Sequence, residues 1–179
     1  MNKQQLEVVN KTIFLGITLD AKLQWGPHIE TLSGRLSSAA YAVRRICQLT
    51  DVDTARLVHF SYFHSIVSYG LLLWGSAADI DIIFVLQKRS IRAIYMMGPR
   101  ESLRHKLKEI NIFTLHSQYI YDNLVYVHKN TSKFKKNSDL HQRNLRNKNK
   151  LAVPASRLHK VSHSFVGQIY VFKTNFQMT

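Results

Sequence analysis

Two stretches decide how this chain is read: S-Y-G-L-L-L-W-G at 68–75 and L-Q-K-R-S-I-R-A-I at 86–94. The first is apolar and ends in Gly75. The second has helical periodicity. At about 100° per residue, Ile83, Ile91 and Ile94 fall within about 80° of one another, with Lys88, Arg89 and Arg92 roughly opposite. A helix so divided packs on one side and presents its cations to an anionic partner on the other.

Asp79 or Ser76 opens this helix over about 79–97, and Gly98-Pro99 is expected to stop it. Upstream, Pro27 suits a first helical turn. From there Ile29, Leu32, Leu36, Ala39, Val43 and Ile46 recur at steps of three and four, a seam that requires a neighbouring helix. Asp51 or Asp53 caps a further helix running through Leu57, Phe60, His64, Val67 and Leu71. Apolar residues off that line (Val58, Tyr62, Phe63, Ile66) predict a central helix covered on several sides. Short helices near 101–109 and 115–129 complete a bundle. Thr12 to Leu19 alternates at period two and predicts one strand, with only Gln168–Thr174 extended enough to resemble another. The expected fold is mainly α: a helical bundle over 27–130, one N-terminal β-strand within 1–26, and a basic, partly disordered segment with an irregular tail over 131–179.

The charge is uneven. Of 25 Lys and Arg against 11 Asp and Glu, residues 1–80 hold seven against six, whereas 81–179 hold eighteen against five. That imbalance favours a polyanionic partner, nucleic acid first. Residues 133–150 carry Lys133, Lys135, Lys136, Arg143, Arg146, Lys148 and Lys150 with Asp139 as the one acid, a composition expected of a mobile connector. Hydrophobic residues make up 45% of the 179, enough for a globular core. A single cysteine, Cys47, excludes an internal disulfide and fits a reducing compartment. The opening M-N-K-Q-Q-L-E has no apolar run, and no stretch approaches the ~18–20 residues that span a bilayer. An intracellular protein, cytoplasmic or nuclear, with no membrane partner is expected.

The words of the sequence resemble a known family. Y-G-x-x-x-W-G at 69–75 and L-Q-K-R-x-I-R-x-I at 86–94 are similar to the region beyond the polymerase centre in reverse transcriptases of non-LTR retrotransposons, the jockey-like elements. F-L-G-I-T-L-D at 14–20, K-L-Q-W at 22–25 and H-I at 28–29 precede them in the same order. L-K-E-I-N-I-F-T-L at 107–115, Y-V-H-K-N at 126–130 and N-K-N-K-L-A-V-P-A-S-R-L at 147–158 follow. The resemblance runs from about Phe14 to Phe165 and implies that the bundle corresponds to the thumb, which grips the template–primer duplex. It also implies a sheet completed by sequence ahead of the strand at 12–19.

Catalytic candidates are few. Polymerase chemistry uses carboxylates that hold two metal ions, and the resembled enzymes place an Asp-Asp pair ahead of F-L-G-I; this sequence has no Asp-Asp. Asp51 with Asp53, and Asp79 with Asp81, suit helix starts better than metal ligation. His159 and His163 are four apart but lack the H-E-x-x-H glutamate, and His59 and His64 are five apart, so no metal or other cofactor is expected. Cys47 lies beside the packing seam without a His partner. The expectation is a non-catalytic piece that binds RNA or an RNA–DNA duplex without reading sequence. Its candidate contacts are Lys88, Arg89, Arg92, Arg143, Arg146, Lys148 and Lys150. Tyr119, Tyr121 and Tyr126 are read as core rather than as base-stacking platforms. Two alternatives stand beside this: a helical interaction module that self-associates or binds a retroelement protein, and a decayed copy with no selected function.

Overall fold

The computed structural model describes residues 9–140, 148–153 and 164–176, which belong to two compact units, Met1–Ile112 and Phe113–Thr179. The chain is mainly α, as its periodicity predicts, and a two-stranded sheet is the only one among the described residues.

That sheet corrects the expected lone strand. Lys11–Phe14 (β1) and Ile17–Asp20 (β2) pair antiparallel, with Lys11 opposite Asp20 and Phe14 opposite Ile17. Leu15 and Gly16 both take positive φ, 47° and 76°, which a two-residue type I′ turn requires. Such turns usually announce themselves by Asn-Gly or Asp-Gly; Leu15 hides this one inside an unbroken alternation. The strand's partner is its own continuation. β1 is exposed throughout, whereas Ile17 and Thr18 of β2 are buried.

Three residues of Y-G-x-x-x-W seat the hairpin on the helices. The Tyr69 hydroxyl donates to the Leu15 carbonyl in the turn. Gly70 has φ 68°, and a Cβ there would lie 2.7 Å from Ile17 Cδ1, so both the left-handed backbone and the close approach call for glycine. Trp74 is fully buried, and its Nε1–H donates to the Tyr69 carbonyl at 3.0 Å. At the hairpin's exit, the Asp20 carboxylate accepts from the backbone N–H of Lys22, Gln24 and Trp25 at 3.0–3.2 Å. The Thr18 N–H donates to His28 Nδ1 at 3.4 Å.

Helix α1, Gly26–Ile46, starts with Pro27 in its first turn and buries Ile29, Leu32, Leu36, Ala39 and Val43. Ile46, the last of the seam, is half-buried. Each large aliphatic side chain so removed from water stabilises by about 1.5–3 kcal/mol. Asp51 caps α2 (Val52–Val58) by accepting from the N–H of Asp53 and Thr54.

The chain then passes through a π-helical turn, His59–His64, into α3 (Ser65–Ser68) and α4 (Leu71–Trp74). Here the expected seam is corrected. Leu57 is 68% exposed and Phe60 sits at the surface, while Ala55, His59, Phe63, Val67 and Leu71 are buried. Those five recur every four residues, a spacing that drifts around an α-helix of 3.6 residues per turn. One π turn takes up the surplus and keeps them on a single face. Tyr62 and Tyr69 are exposed, so this helix is covered on one side rather than several.

Helix α5, Ile80–Ile94, is the main neighbour of α1. Asp79 stands at its N-cap without a side-chain capping bond. Its end also differs from expectation, falling at Ile94 ahead of Gly98-Pro99. The Met96 N–H donates to Ala93 O and the Met97 N–H to Arg92 O, a Schellman ending with Met96 (φ 50°) in the left-handed position glycine usually takes. The next helix, α6 (Arg104–Glu109), ends the same way with Asn111 at φ 54°. Ile91, Leu103, Ile110 and Ile112 close a cluster beneath this loop.

In the second unit, Thr114 caps α7 (Leu115–Lys129), accepting from the Ser117 N–H at 3.1 Å. A 3-10 turn at Thr131–Lys133 leads to α8 (Asn137–Leu140), and α9 spans Phe165–Phe176. Gln168–Thr174, read as extended, is therefore helical. Its β-branched and aromatic content favours a strand locally, yet Phe165, Ile169 and Phe172 share a helical face against α7. Tyr126–Phe165 and Tyr119–Phe172 meet edge to face at 4.9 and 5.9 Å, and Val127, Leu151 and Ile169 form a buried cluster.

The basic segment, expected to be a mobile connector, is clasped at its described ends. Lys136 bridges Leu151, the Asn137 N–H donates to Lys150 O, and the Ala152 N–H donates to Lys135 O, both at 2.9 Å. Among the described residues no helix is long and apolar enough to cross a membrane.

Candidate nucleic-acid interface

α5 divides as its sequence predicts. Ile83, Ile91 and Ile94 are buried, Arg89 is exposed, and Lys88 and Arg92 are half-buried. The cations line one wall of a groove of about 1020 Å³. The other wall is α1, which contributes Tyr41 and Arg44. Among the described residues no carboxylate lines the groove, so Arg44, Lys88, Arg89 and Arg92 set a positive potential between two helices.

The four cations are not equivalent. Arg92 donates through Nε and Nη2 to the Glu101 carbonyl at 3.2 and 2.9 Å, while the Glu101 carboxylate accepts from the Gly98 N–H at 3.0 Å. Arg92 thus holds the loop after α5 as well as facing the groove. Lys88 Nζ rests 4.4 Å from the centroid of the Phe84 ring, a cation–π contact that orients it. Arg44 and Arg89 are exposed and, among the described residues, engage no hydrogen bond or ion pair, so their donor forks face phosphate oxygens.

Arg44 and Tyr41 escaped the sequence reading because their partners lie some 45 residues away along the chain. The available signal is the row Ser37, Ala40/Tyr41, Arg44, Gln48 flanking the seam at helical spacing. Of the remaining predicted contacts, Lys148 is exposed and Lys150 half-buried in the second unit; Arg143 and Arg146 lie outside the described residues. Lys106, near α5 in sequence, is spent on Glu109 at 2.7 Å and on the Tyr95 ring. Among the tyrosines, Tyr119 is buried and Tyr126 half-buried, but Tyr121 is 50% exposed and stacks on Phe113.

His28, His59 and Cys47 are buried and serve the core. His59 Nδ1 lies 2.9 Å from Ser90 Oγ, but Ser90 has no exposed surface, so no substrate reaches it as a nucleophile. Burial, then the charges of His64 and Arg56, hold His59 down at about 4. Burial followed by the Arg35 charge lowers His28. Burial raises the Cys47 thiol, which keeps it protonated and unreactive. Among the described residues no three His, Cys, Asp or Glu side chains converge on a metal position; His159 and His163 lie outside them.

Over 94 residues, 50% of this chain, the sequence is 33% identical to the probable RNA-directed DNA polymerase from transposon BS of Drosophila melanogaster. The likeness is to a reverse transcriptase. The match spans only about 10% of that relative's length. No family model and no solved structure matches the chain.

Proposed function

We propose that this chain is the thumb-like part of a non-LTR, jockey-like retrotransposon reverse transcriptase and that it holds a template–primer duplex without extending it. The observation that carries the reading is the convergence of Arg44 from α1 with Lys88, Arg89 and Arg92 from α5 on one groove that no described carboxylate lines. Cations on packed helices keep a fixed spacing, so they track a phosphate backbone at little entropic cost. Binding is sequence-independent, because phosphates carry no base identity. Each phosphate neutralised releases counterions, and four engaged cations give a log–log salt slope of about −3 to −4. The absence of an Asp-Asp pair from all 179 residues supports a holding role over a catalytic one. Lys148 and Lys150, with Arg143 and Arg146, add non-specific attraction.

The test is fluorescence anisotropy with an RNA–DNA hybrid at two salt concentrations. Replacing Lys88, Arg89 and Arg92 by Gln weakens binding and flattens the slope by about 2 to 3. Equal affinity and slope in the triple variant sink the assignment.

A further inference from the structure

The groove between α1 and α5 has a second character that phosphate contacts do not use. Between its cations the floor is apolar, formed by Ala40 and Cys47 from one wall and Val85, Ala93 and Met97 from the other. A duplex turns sugars and phosphates toward a helical surface, and a floor of methyl and thioether groups gains nothing from them. An unstacked base, by contrast, has two π faces to bury. Ser37 and Ala40 are small and keep the groove open on the α1 side. At its mouth stand Tyr41, 65% exposed, and Met96, 81% exposed. Tyr41 precedes Arg44 by three residues on α1, so ring and guanidinium project from the same face. The left-handed backbone at Met96 ends α5 and leaves that side chain at the groove's rim.

We infer that this groove takes an unpaired nucleotide of a single strand. Its base lies on the apolar floor against Tyr41, and its flanking phosphates lie on Arg44 and Arg89. The inference rests on the reading of the chain as a nucleic-acid binder and adds that the groove, besides the duplex backbone its cations track, seats an unpaired nucleotide beside that duplex. Charge complementarity commits the occupant, since among the described residues four cations and no carboxylate line the walls. An acidic peptide would meet the same charges but offers a flat face for Tyr41 only where it carries an aromatic side chain, whereas every nucleotide brings one. The space fits as well: about 1020 Å³ is at the upper end of what small-ligand sites provide.

The experiment compares three labelled probes on the 179-residue chain: a single-stranded RNA about 10 nucleotides long, an abasic strand of the same length, and a blunt RNA–DNA hybrid. The base-bearing strand binds about tenfold tighter than the abasic one. Tyr41→Ala collapses that difference, and because Tyr41 is exposed the variant keeps its fold. If the hybrid binds but base-bearing and abasic strands bind alike, or Tyr41→Ala leaves their ratio intact, this inference fails alone. If the single strands behave as expected and the hybrid does not bind, the duplex reading fails and the groove assignment stands; if none of the three probes binds, both fail.

Discussion

The hairpin junction and the α1/α5 groove treat their polar groups in opposite ways. At the junction, the Tyr69 hydroxyl, the Trp74 indole, the Asp20 carboxylate and His28 Nδ1 each find a partner within the chain. Among the described residues there, His28 Nε2 is the buried side-chain atom left unanswered. In the groove, Arg44 and Arg89 stand exposed with open donors. The difference separates two uses of shared sequence words. F-L-G-I-T-L-D and Y-G-x-x-x-W build and seat a hairpin, so their presence reports fold. L-Q-K-R-x-I-R-x-I carries cations left over for a partner, and Arg44, which belongs to none of these words, completes the set.

Four experiments test that contrast, in order of decreasing effect. Trp74→Ala empties a fully buried indole site and removes the bond that fixes Tyr69; it costs about 3–5 kcal/mol in urea denaturation. A loss below about 1 kcal/mol means the junction does not hold the hairpin on the helices.

His59 comes next. Its folded-state value of about 4 lies below the ordinary 6.5. As pH falls from about 6.5 to 4, the unfolded chain takes up a proton that the folded chain refuses, so stability present above that window drops by about 3 kcal/mol. His28, also depressed, adds in the same direction. Denaturation midpoints at neutral and acid pH, for wild type and His59→Gln, isolate the His59 share. Identical acid losses in both proteins contradict the burial argument.

Gly70→Ala places a methyl group against Ile17 at φ 68° and costs about 1–2 kcal/mol. The Ile17 terminus can yield, which keeps the loss below that of Trp74→Ala; a neutral thermal shift removes the case for close approach. Smallest in stability is Arg44→Gln with Arg89→Gln, which changes unfolding by less than about 0.5 kcal/mol while reducing the salt slope of hybrid binding by about 2. Should this pair destabilise the fold as Gly70→Ala does, the groove cations are structural and the contrast dissolves.

Much of the helical framework is legible in the residues. The α1 seam, the two faces of α5, the Asp51 cap and α7 all follow from local periodicity and capping chemistry. The misses share a cause. Leu15 disguises a turn, the spacing of Ala55 to Leu71 disguises a π insertion, and α9 looks like a strand until α7 supplies its aromatic partners. In each, packing against a distant segment outweighs a local preference.

The candidate site divides along the same line. Lys88, Arg89 and Arg92 share a face because a helix repeats every 3.6 residues, a relation confined to a single turn or two of chain. Sequence therefore determined the basic stripe, the apolar stripe behind it and the charge imbalance of the chain. Only tertiary structure decided that Arg44 and Tyr41 face that stripe, that Arg92 is partly committed to Glu101, and that an apolar floor lies between the walls. The reason is distance along the polymer: a pattern within one helix is written in neighbouring residues, whereas a groove exists only once the buried seams of two helices have been pressed together.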